Sequence, residues 1–326
     1  MSQFASVPER LAEERGAEAV LGFTTDARRW LQLALAALWV FDGLLQFQSY
    51  MFTKAFATQI LAPTAAGNPT WIADSILWTA RVVEANPVLT NTVFATLQLA
   101  IGLAIAWRRS LRTALAVSIA WSLIVWWFGE GLGGLLLGQA SALDGAPGGV
   151  LLYLVLAILV WPTAKSTVGT FVASRPVGPT AAKIIWFVLW GGLAALNLQP
   201  ANLKPEALHS MLSGMGAVRP TWLAALIDSF ATLSAQDGTP LTIIGAVILF
   251  LIALGILLPP RWMRVAVAAA VAVSVFIWVI GEAIGVPFGG QSTDPDSGPL
   301  LALIAIAYWP ARKPAAPAST QVGVTA

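Results

Sequence analysis

The sequence predicts an all-α fold, a polytopic membrane helix bundle of about eight transmembrane helices arranged as two parallel four-helix repeats with outer-face helical segments. Of its 326 residues, 57% are hydrophobic and only 10% are charged, whereas soluble domains carry about 25% charged residues. The apolar segments have helical length and lack the alternation of membrane β-strands. The same order of segments occurs twice. These observations predict an integral membrane protein with an internal repeat.

Eight apolar segments are the candidate spans. They cover residues 30–49, 89–107, 111–128, 149–161, 184–198, 241–258, 262–280 and 299–309. Because a span needs about 20 apolar residues and at least about 17, the fourth and eighth segments are short. Either flanking small residues extend them, or the Gly-rich stretch before each one re-enters the membrane. The semi-apolar segments 50–88 and 199–240 are expected to form helices on the outer membrane face.

Basic residues predict the orientation, since cytoplasmic loops are enriched in Lys and Arg. If eight spans alternate, one side receives Arg10, Arg15, Arg28, Arg29, Arg108, Arg109, Arg112, Lys165, Arg175, Lys183, Arg261, Arg264, Arg312 and Lys313. The other side receives only Lys54, Arg81, Lys204 and Arg219. We therefore expect a multi-pass protein of the plasma (inner) membrane with both termini in the cytoplasm.

A fixed offset between the halves defines the repeat. An offset of 151 aligns Trp39 with Trp190 and Gln46 with Asn197, and an offset of 152 aligns Trp126 with Trp278, Glu130 with Glu282 and Gln139 with Gln291. Four spans per half give both halves the same orientation, so a pseudo-twofold along the membrane normal is expected. The expected organisation is an N-terminal cytoplasmic segment (1–29), a first repeat (30–162), a cytoplasmic linker (163–183), a second repeat (184–310) and a cytoplasmic tail (311–326).

Each half resembles the DoxX/DoxD-like superfamily of four-helix membrane proteins. The resemblance lies in FDGLLQFQ (41–48) and in LQLAIGLAIAWRRSLRTALAVSIA (97–120), where a Gly-containing apolar helix turns at an Arg pair into a second apolar helix. It implies the four-helix architecture. It also implies a link to respiratory-chain or thiol-oxidant metabolism, with the chain as an accessory membrane subunit that could hold a quinone.

Three carboxylates are the candidate ligand or proton site. Glu130 and Glu282 end the third and seventh predicted spans, in WWFGEGLGG and WVIGEAIGV, and Asp42 lies within the first span. Charged groups inside a membrane are costly and mark functional sites by default. Two close carboxylates would suit proton or cation exchange. The expected site also includes Gln46, Asn197, Gln139 and Gln291, with Trp126, Trp127 and Trp278 as a pocket wall.

A structural interpretation competes with each of these assignments. Glycines recur at four-residue spacing around both glutamates, which is typical of close helix packing, at Gly129, Gly133, Gly134, Gly138, Gly281, Gly285 and Gly289. A glutamate there could simply accept hydrogen bonds from a helix end. Asp42 could bond Gln46 and fix packing, and the tryptophans could be interface anchors. Turn formation is the favoured role of Asp144, Asp294 and Asp296, and His209 is expected to be an ordinary polar side chain.

Composition excludes several chemistries. The absence of Cys and the single His exclude disulfides, thiolate metal sites and multi-histidine centres. No enzymatic motif is present, and a net charge of +2 does not indicate nucleic acid. Three functions remain open: binding or transport of a small solute, ion or proton at the carboxylate site near the outer face; an accessory redox subunit with a membrane partner and a quinone; or a structural or assembly role. The lipid bilayer is the expected partner, and no metal or other cofactor is indicated.

Overall fold

The computed structural model describes residues 27–163, 171–215, 220–285 and 289–310. Within these ranges all regular secondary structure is helical, which confirms the all-α prediction. The predicted cytoplasmic tail, nearly all of the N-terminal segment and part of the linker lie outside the described residues.

The helices follow the predicted apolar segments. They are α1 (residues 27–45), α2 (Thr70–Ala85), α3 (Pro87–Ala106), α4 (Leu111–Phe128), α5 (Gly149–Leu159), α6 (Ser174–Val177), α7 (Pro179–Asn197), α8 (Ala207–Gly214), α9 (Thr221–Leu254), α10 (Pro260–Phe276) and α11 (Ser297–Ala307). Short 3-10 and π turns fill part of the chain between α1 and α2. Each of the eight apolar segments overlaps one of these helices.

Five helices of the described residues are long and apolar enough to cross a membrane. They are Pro87–Ala106, Leu111–Phe128, Pro179–Asn197, Thr221–Leu257 and Pro260–Gly281. Helices α5 and α11 are apolar but have only 11 residues each, which is too short for a full span. These helices indicate a multi-pass helical membrane protein.

The second outer segment continues into the sixth predicted span. The 34 residues of α9 consist of two helical stretches joined at a kink. It bends at Asp237, whose φ of −123° and ψ of 31° are not helical, three residues before Pro240. A proline inside a helix lacks the N–H for the preceding turn and displaces its carbonyl, which accounts for the kink.

The two short helices α5 and α11 lie in the middle of the bundle. Leu152 and Leu156 of α5, and Leu300 and Ile304 of α11, are fully buried. The two helices pack against each other, with α4 beside α5 and α10 beside α11. Their N-terminal ends therefore meet between the two halves of the chain, and the polar residues before each short helix are brought together there.

The glycines after α4 form a turn rather than one face of a regular helix. Gly133 and Gly134 have φ values of +59° and +70°, in the left-handed region that glycine adopts without strain. A Cβ on Gly133 would overlap the carbonyl group of Pro147. Their role is to let the chain pass close to the start of α5, which a right-handed helix at this point would prevent.

Candidate functional site

Glu282 follows α10 and caps α11. Its Oε2 accepts the backbone N–H of Gly298 at 2.9 Å, and its Oε1 accepts the backbone N–H of Ser297 at 3.1 Å together with the Ser297 hydroxyl. The first N–H groups of a helix have no partner within the helix, and the positive end of the helix dipole favours an anion. Glu282 is 6% exposed. It therefore joins the end of α10 to the start of α11.

Glu130 makes a similar but weaker connection between α4 and α5. Its Oε1 accepts the backbone N–H of Val150 at 3.2 Å, while its buried Oε2 has no hydrogen-bond partner among the described residues. The glutamate four residues after each tryptophan thus caps the next short helix in both halves. Both carboxylate oxygens of Glu282 accept hydrogen bonds, whereas only one oxygen of Glu130 does.

Trp126 and Trp278 close the same two turns. The indole N–H of Trp126 donates to the carbonyl of Pro147 at 2.8 Å, and that of Trp278 donates to the carbonyl of Pro295 at 2.9 Å. Each proline lies just before the short helix that the neighbouring glutamate caps. The two indole N–H groups are thus occupied by backbone carbonyls next to the helix starts that the glutamates cap.

Three aspartates lie close enough to the glutamates to interact with them electrostatically. Asp42 interacts with Asp294 and Glu130, and Asp296 interacts with Asp294, Glu282, Glu130 and Asp42. No lysine or arginine of the described residues is among the groups that interact with these five. We call Asp42, Glu130, Glu282, Asp294 and Asp296 the carboxyl cluster. It combines residues from both halves of the chain.

Asp42 of the cluster and the neighbouring Tyr153 are two deeply buried polar groups of this region. Asp42 is 3% exposed and Tyr153 of α5 is 1% exposed. The side chains of Asp42 and Tyr153 are hydrogen-bond partners of each other, and neither Oδ1 of Asp42 nor the hydroxyl of Tyr153 has another partner among the described residues. The ring of Trp39 packs against that of Tyr153, with their centroids 4.3 Å apart. Buried polar groups are nearly always paired, so these two are equipped to exchange a proton or to bind a small polar species.

Burial raises the pKa of the cluster members that lie outside the spans. The pKa of Glu130 rises to about 8, because burial and then the charge of Asp294 outweigh the single N–H of Val150. The pKa of Glu282 rises to about 7, since burial outweighs its bonds from Ser297 and Gly298. Burial also raises the pKa of Asp294, and the pKa of Asp296 lies well above its ordinary value for the same reason. A low dielectric and neighbouring like charges both disfavour ionisation, so these groups release their protons at higher pH than ordinary carboxyl groups do.

The predicted amides separate into different environments. Gln46 is 5% exposed and directly follows α1, where its backbone N–H donates to the carbonyl of Asp42, and its Oε1 has no partner among the described residues. Asn197 accepts the backbone N–H of Ala142 at 2.9 Å and lines a separate cavity together with Gln139. Gln291 is exposed. The structure therefore places Gln46 with the carboxylates and Asn197 and Gln139 elsewhere.

Trp127 and His209 also have local partners. The indole N–H of Trp127 donates to the hydroxyl of Ser75 at 3.0 Å, and its ring lies 5.4 Å from that of Trp71. Trp127 therefore packs on α2, away from the glutamates. His209 Nδ1 lies 2.7 Å from the carbonyl oxygen of Ala231, within a contact between α8 and α9.

Sequence reasoning missed Tyr153 and underrated two aspartates. Tyr153 is the single hydrogen-bonding side chain in the helix GVLLYLVLAIL, and this isolation among aliphatic residues could have identified it. Asp294 does form a turn, since its Oδ1 accepts the backbone N–H of Asp296 at 2.8 Å. It also belongs to the carboxyl cluster, which its local turn sequence could not indicate.

No group of three His, Asp or Glu side chains in the described residues is arranged to hold a metal ion. No protein-family model matches the chain, and no curated protein or solved structure shows significant similarity to it. The DoxX/DoxD-like resemblance therefore stays a prediction, and the case for a function rests on the carboxyl cluster.

Proposed function

We propose that the carboxyl cluster binds and releases protons, and that the protein couples this exchange to the movement of a small solute or ion across the membrane. The observation that carries the proposal is a set of five acidic side chains without a basic partner among the described residues. Burying an unpaired charge is strongly unfavourable. The accessible states of the cluster therefore differ in the number of bound protons.

Asp42 and Tyr153 are the members of this region best suited to exchange a proton. Both side chains are nearly inaccessible, and the described residues supply them with no hydrogen-bond partner beyond their contact with each other. Glu282, by contrast, is fully engaged in capping α11. We assign the exchangeable protons chiefly to Asp42, Glu130 and Asp296, while Glu282 serves mainly to fix the position of α11.

The proposal includes two parallel four-helix repeats with eight membrane-embedded helices, in the inner membrane, with both termini in the cytoplasm. The matching contacts of Trp126 with Pro147 and of Trp278 with Pro295 support the repeat. The cluster would then lie at the interface between the repeats, where transporters with internal repeats bind their substrates.

Infrared spectroscopy of the purified protein during a pH titration tests the proton-binding step, because protonated and ionised carboxyl groups absorb separately. We expect carboxyl absorbance to be lost around neutral pH, and Asp42→Asn or Asp296→Asn to reduce or shift that change. The control is Asp74→Asn on α2, an exposed aspartate whose replacement should leave the neutral transition intact. Complete ionisation of the wild type at acidic pH would refute proton storage.

Reconstitution into vesicles containing a pH-sensitive dye tests the coupling step. With sodium or potassium gradients as probes, we expect the wild type to move protons and Asp42→Asn to reduce the initial rate by about tenfold or more, as expected for loss of a required group. Asp74→Asn should match the wild type. Wild-type vesicles that move no protons with any gradient, despite a neutral carboxyl transition, would overturn coupling and leave a structural role for the cluster.

A further inference from the structure

A cavity of about 510 Å³ lies between α7, α8, α9 and α10. Its walls are mainly apolar and include Leu208, Met211, Phe230, Ile248 and Ile280. None of the five cluster carboxyls is among its lining residues. Ligand sites occupy roughly 300–1,000 Å³ and are mostly apolar with a few polar groups, so the cavity has the size and lining of a binding site of its own.

The cavity has the depth of one membrane leaflet. Beyond the kink in α9, its lining on that helix runs from Leu241 to Leu249, which corresponds to about 12 Å at about 1.5 Å per residue. Half of a hydrocarbon core of about 30 Å is about 15 Å. Ile244, Ile248 and Phe276 line the cavity while remaining 53%, 41% and 40% exposed. The cavity therefore opens sideways towards lipid, at α9 and α10.

Polar and charged groups gather at one end of this cavity. Lys204 and Asp144 are exposed lining residues, and Ser141 and Thr242 lie with them in the lining. The deep end, at Leu249 and the neighbouring turns of α9 and α10, is aliphatic. A cation, an anion and hydroxyl groups above an apolar slot complement a molecule with a phosphate, an amine and an acyl chain.

The first half of the chain carries larger side chains at two positions that correspond to the cavity lining. By the offset of 152, Trp121 stands where the second half has Val273, and Val93 stands where it has Gly245. The Trp121 ring lies 5.5 Å from that of Phe94, so aromatic side chains occupy this volume. At these two positions the smaller residues Gly245 and Val273 leave room for the cavity in the second half.

We propose that this cavity binds one membrane phospholipid of the phosphoethanolamine class. One acyl chain lies in the slot between α9 and α10, the phosphate lies at Lys204, and the amine lies at Asp144. This site is independent of the proton-binding function of the carboxyl cluster.

Native mass spectrometry of the full chain, released from detergent in the presence of defined phospholipids, tests this proposal. We expect one phosphoethanolamine lipid to remain bound to the wild type, in preference to an anionic phosphoglycerol lipid. The variant Gly245→Val with Val273→Trp restores the first-half residues and should reduce the bound fraction by about tenfold or more. A Cβ at Gly245 has room, since its nearest neighbour is Asn197 Nδ2 at 3.7 Å.

The matched control is Val275→Trp, which adds the same ring to an exposed position of α10 outside the lining and should leave lipid binding unchanged. Lys204→Gln should weaken binding on the order of fivefold, the effect of one basic residue at a membrane surface. If Val273→Trp impairs folding, Gly245→Val alone and Lys204→Gln still test the site. Equal loss in the control, no preference between head groups, or recovery of a quinone in place of phospholipid would overturn the proposal.

Discussion

Oε2 of Glu282 lies 2.9 Å from the backbone nitrogen of Gly298, a residue sixteen positions further along the chain. Glu130 makes the equivalent connection to Val150 over 3.2 Å and twenty positions. Each glutamate thus holds the start of a short buried helix at the end of a long one. This arrangement explains why a chain with so few charged residues retains a glutamate at both places, since no apolar side chain can accept the free N–H groups of a helix start.

The two glutamates should differ in their contribution to stability. Above the pKa of Glu282, which is about 7, Glu282→Gln places an amide N–H₂ against backbone donors and should lower the free energy of unfolding by ~2 kcal/mol. Glu130→Gln should lower it by less than ~1 kcal/mol, because only Oε1 of Glu130 accepts a bond and the amide can point its donors elsewhere. Thermal unfolding in detergent, measured side by side, gives the comparison. A larger loss for Glu130→Gln would contradict the capping assignment.

Gly148 should tolerate no side chain. Its φ is +99°, and a Cβ would overlap Oε2 of Glu130 and lie 3.1 Å from Cδ1 of Trp126. We expect Gly148→Ala to lower the free energy of unfolding by ~2–3 kcal/mol through backbone strain and displacement of Glu130. Gly192→Ala is the control, since Gly192 lies within α7 with no atom within 4 Å of an added Cβ. That change should be neutral or stabilise by up to ~1 kcal/mol. Equal melting temperatures for the two variants would show that the turn at Gly148 can relax.

The sequence was sufficient to predict the helices but not the environments of their polar groups. Hydrophobic segments located all eight apolar helices, because a membrane requires long apolar runs whatever their packing. The predicted boundary between residues 240 and 241 lies close to the kink of α9 at Asp237, because Pro240 is a local signal. Asp294 was assigned only to a turn. Its turn bond is local, whereas its proximity to Asp42 depends on how the two halves pack.

The orientation of the chain in the membrane can be tested directly. Because the protein has no cysteine, a single introduced cysteine is the only thiol that a reagent can label. Thr58 and Arg109 are both exposed and are predicted on opposite sides of the membrane. A membrane-impermeant maleimide should label Thr58→Cys in intact cells and Arg109→Cys only after permeabilisation. The reverse pattern would invert the proposed topology, while labelling of both in intact cells would mean that the predicted alternation of spans is wrong.

The stability of the protein should fall as the pH rises through the neutral range. The pKa values of Glu130 and Glu282 rise from 4.5 to about 8 and about 7. Between 4.5 and those values the folded state binds more protons than the unfolded state, so the free energy of unfolding decreases with increasing pH. Below pH 4.5 both states are protonated, and above about pH 8 both are ionised, so in those ranges the two groups do not make the free energy of unfolding depend on pH.

The melting temperature should therefore decline between these limits in wild type, and less steeply in Glu130→Gln, which carries no titrating group at that position. Asp74→Asn, at an exposed aspartate, should retain the wild-type slope. Melting temperatures that rise with pH over this interval would show that the capping bonds keep both glutamates ionised in the folded protein.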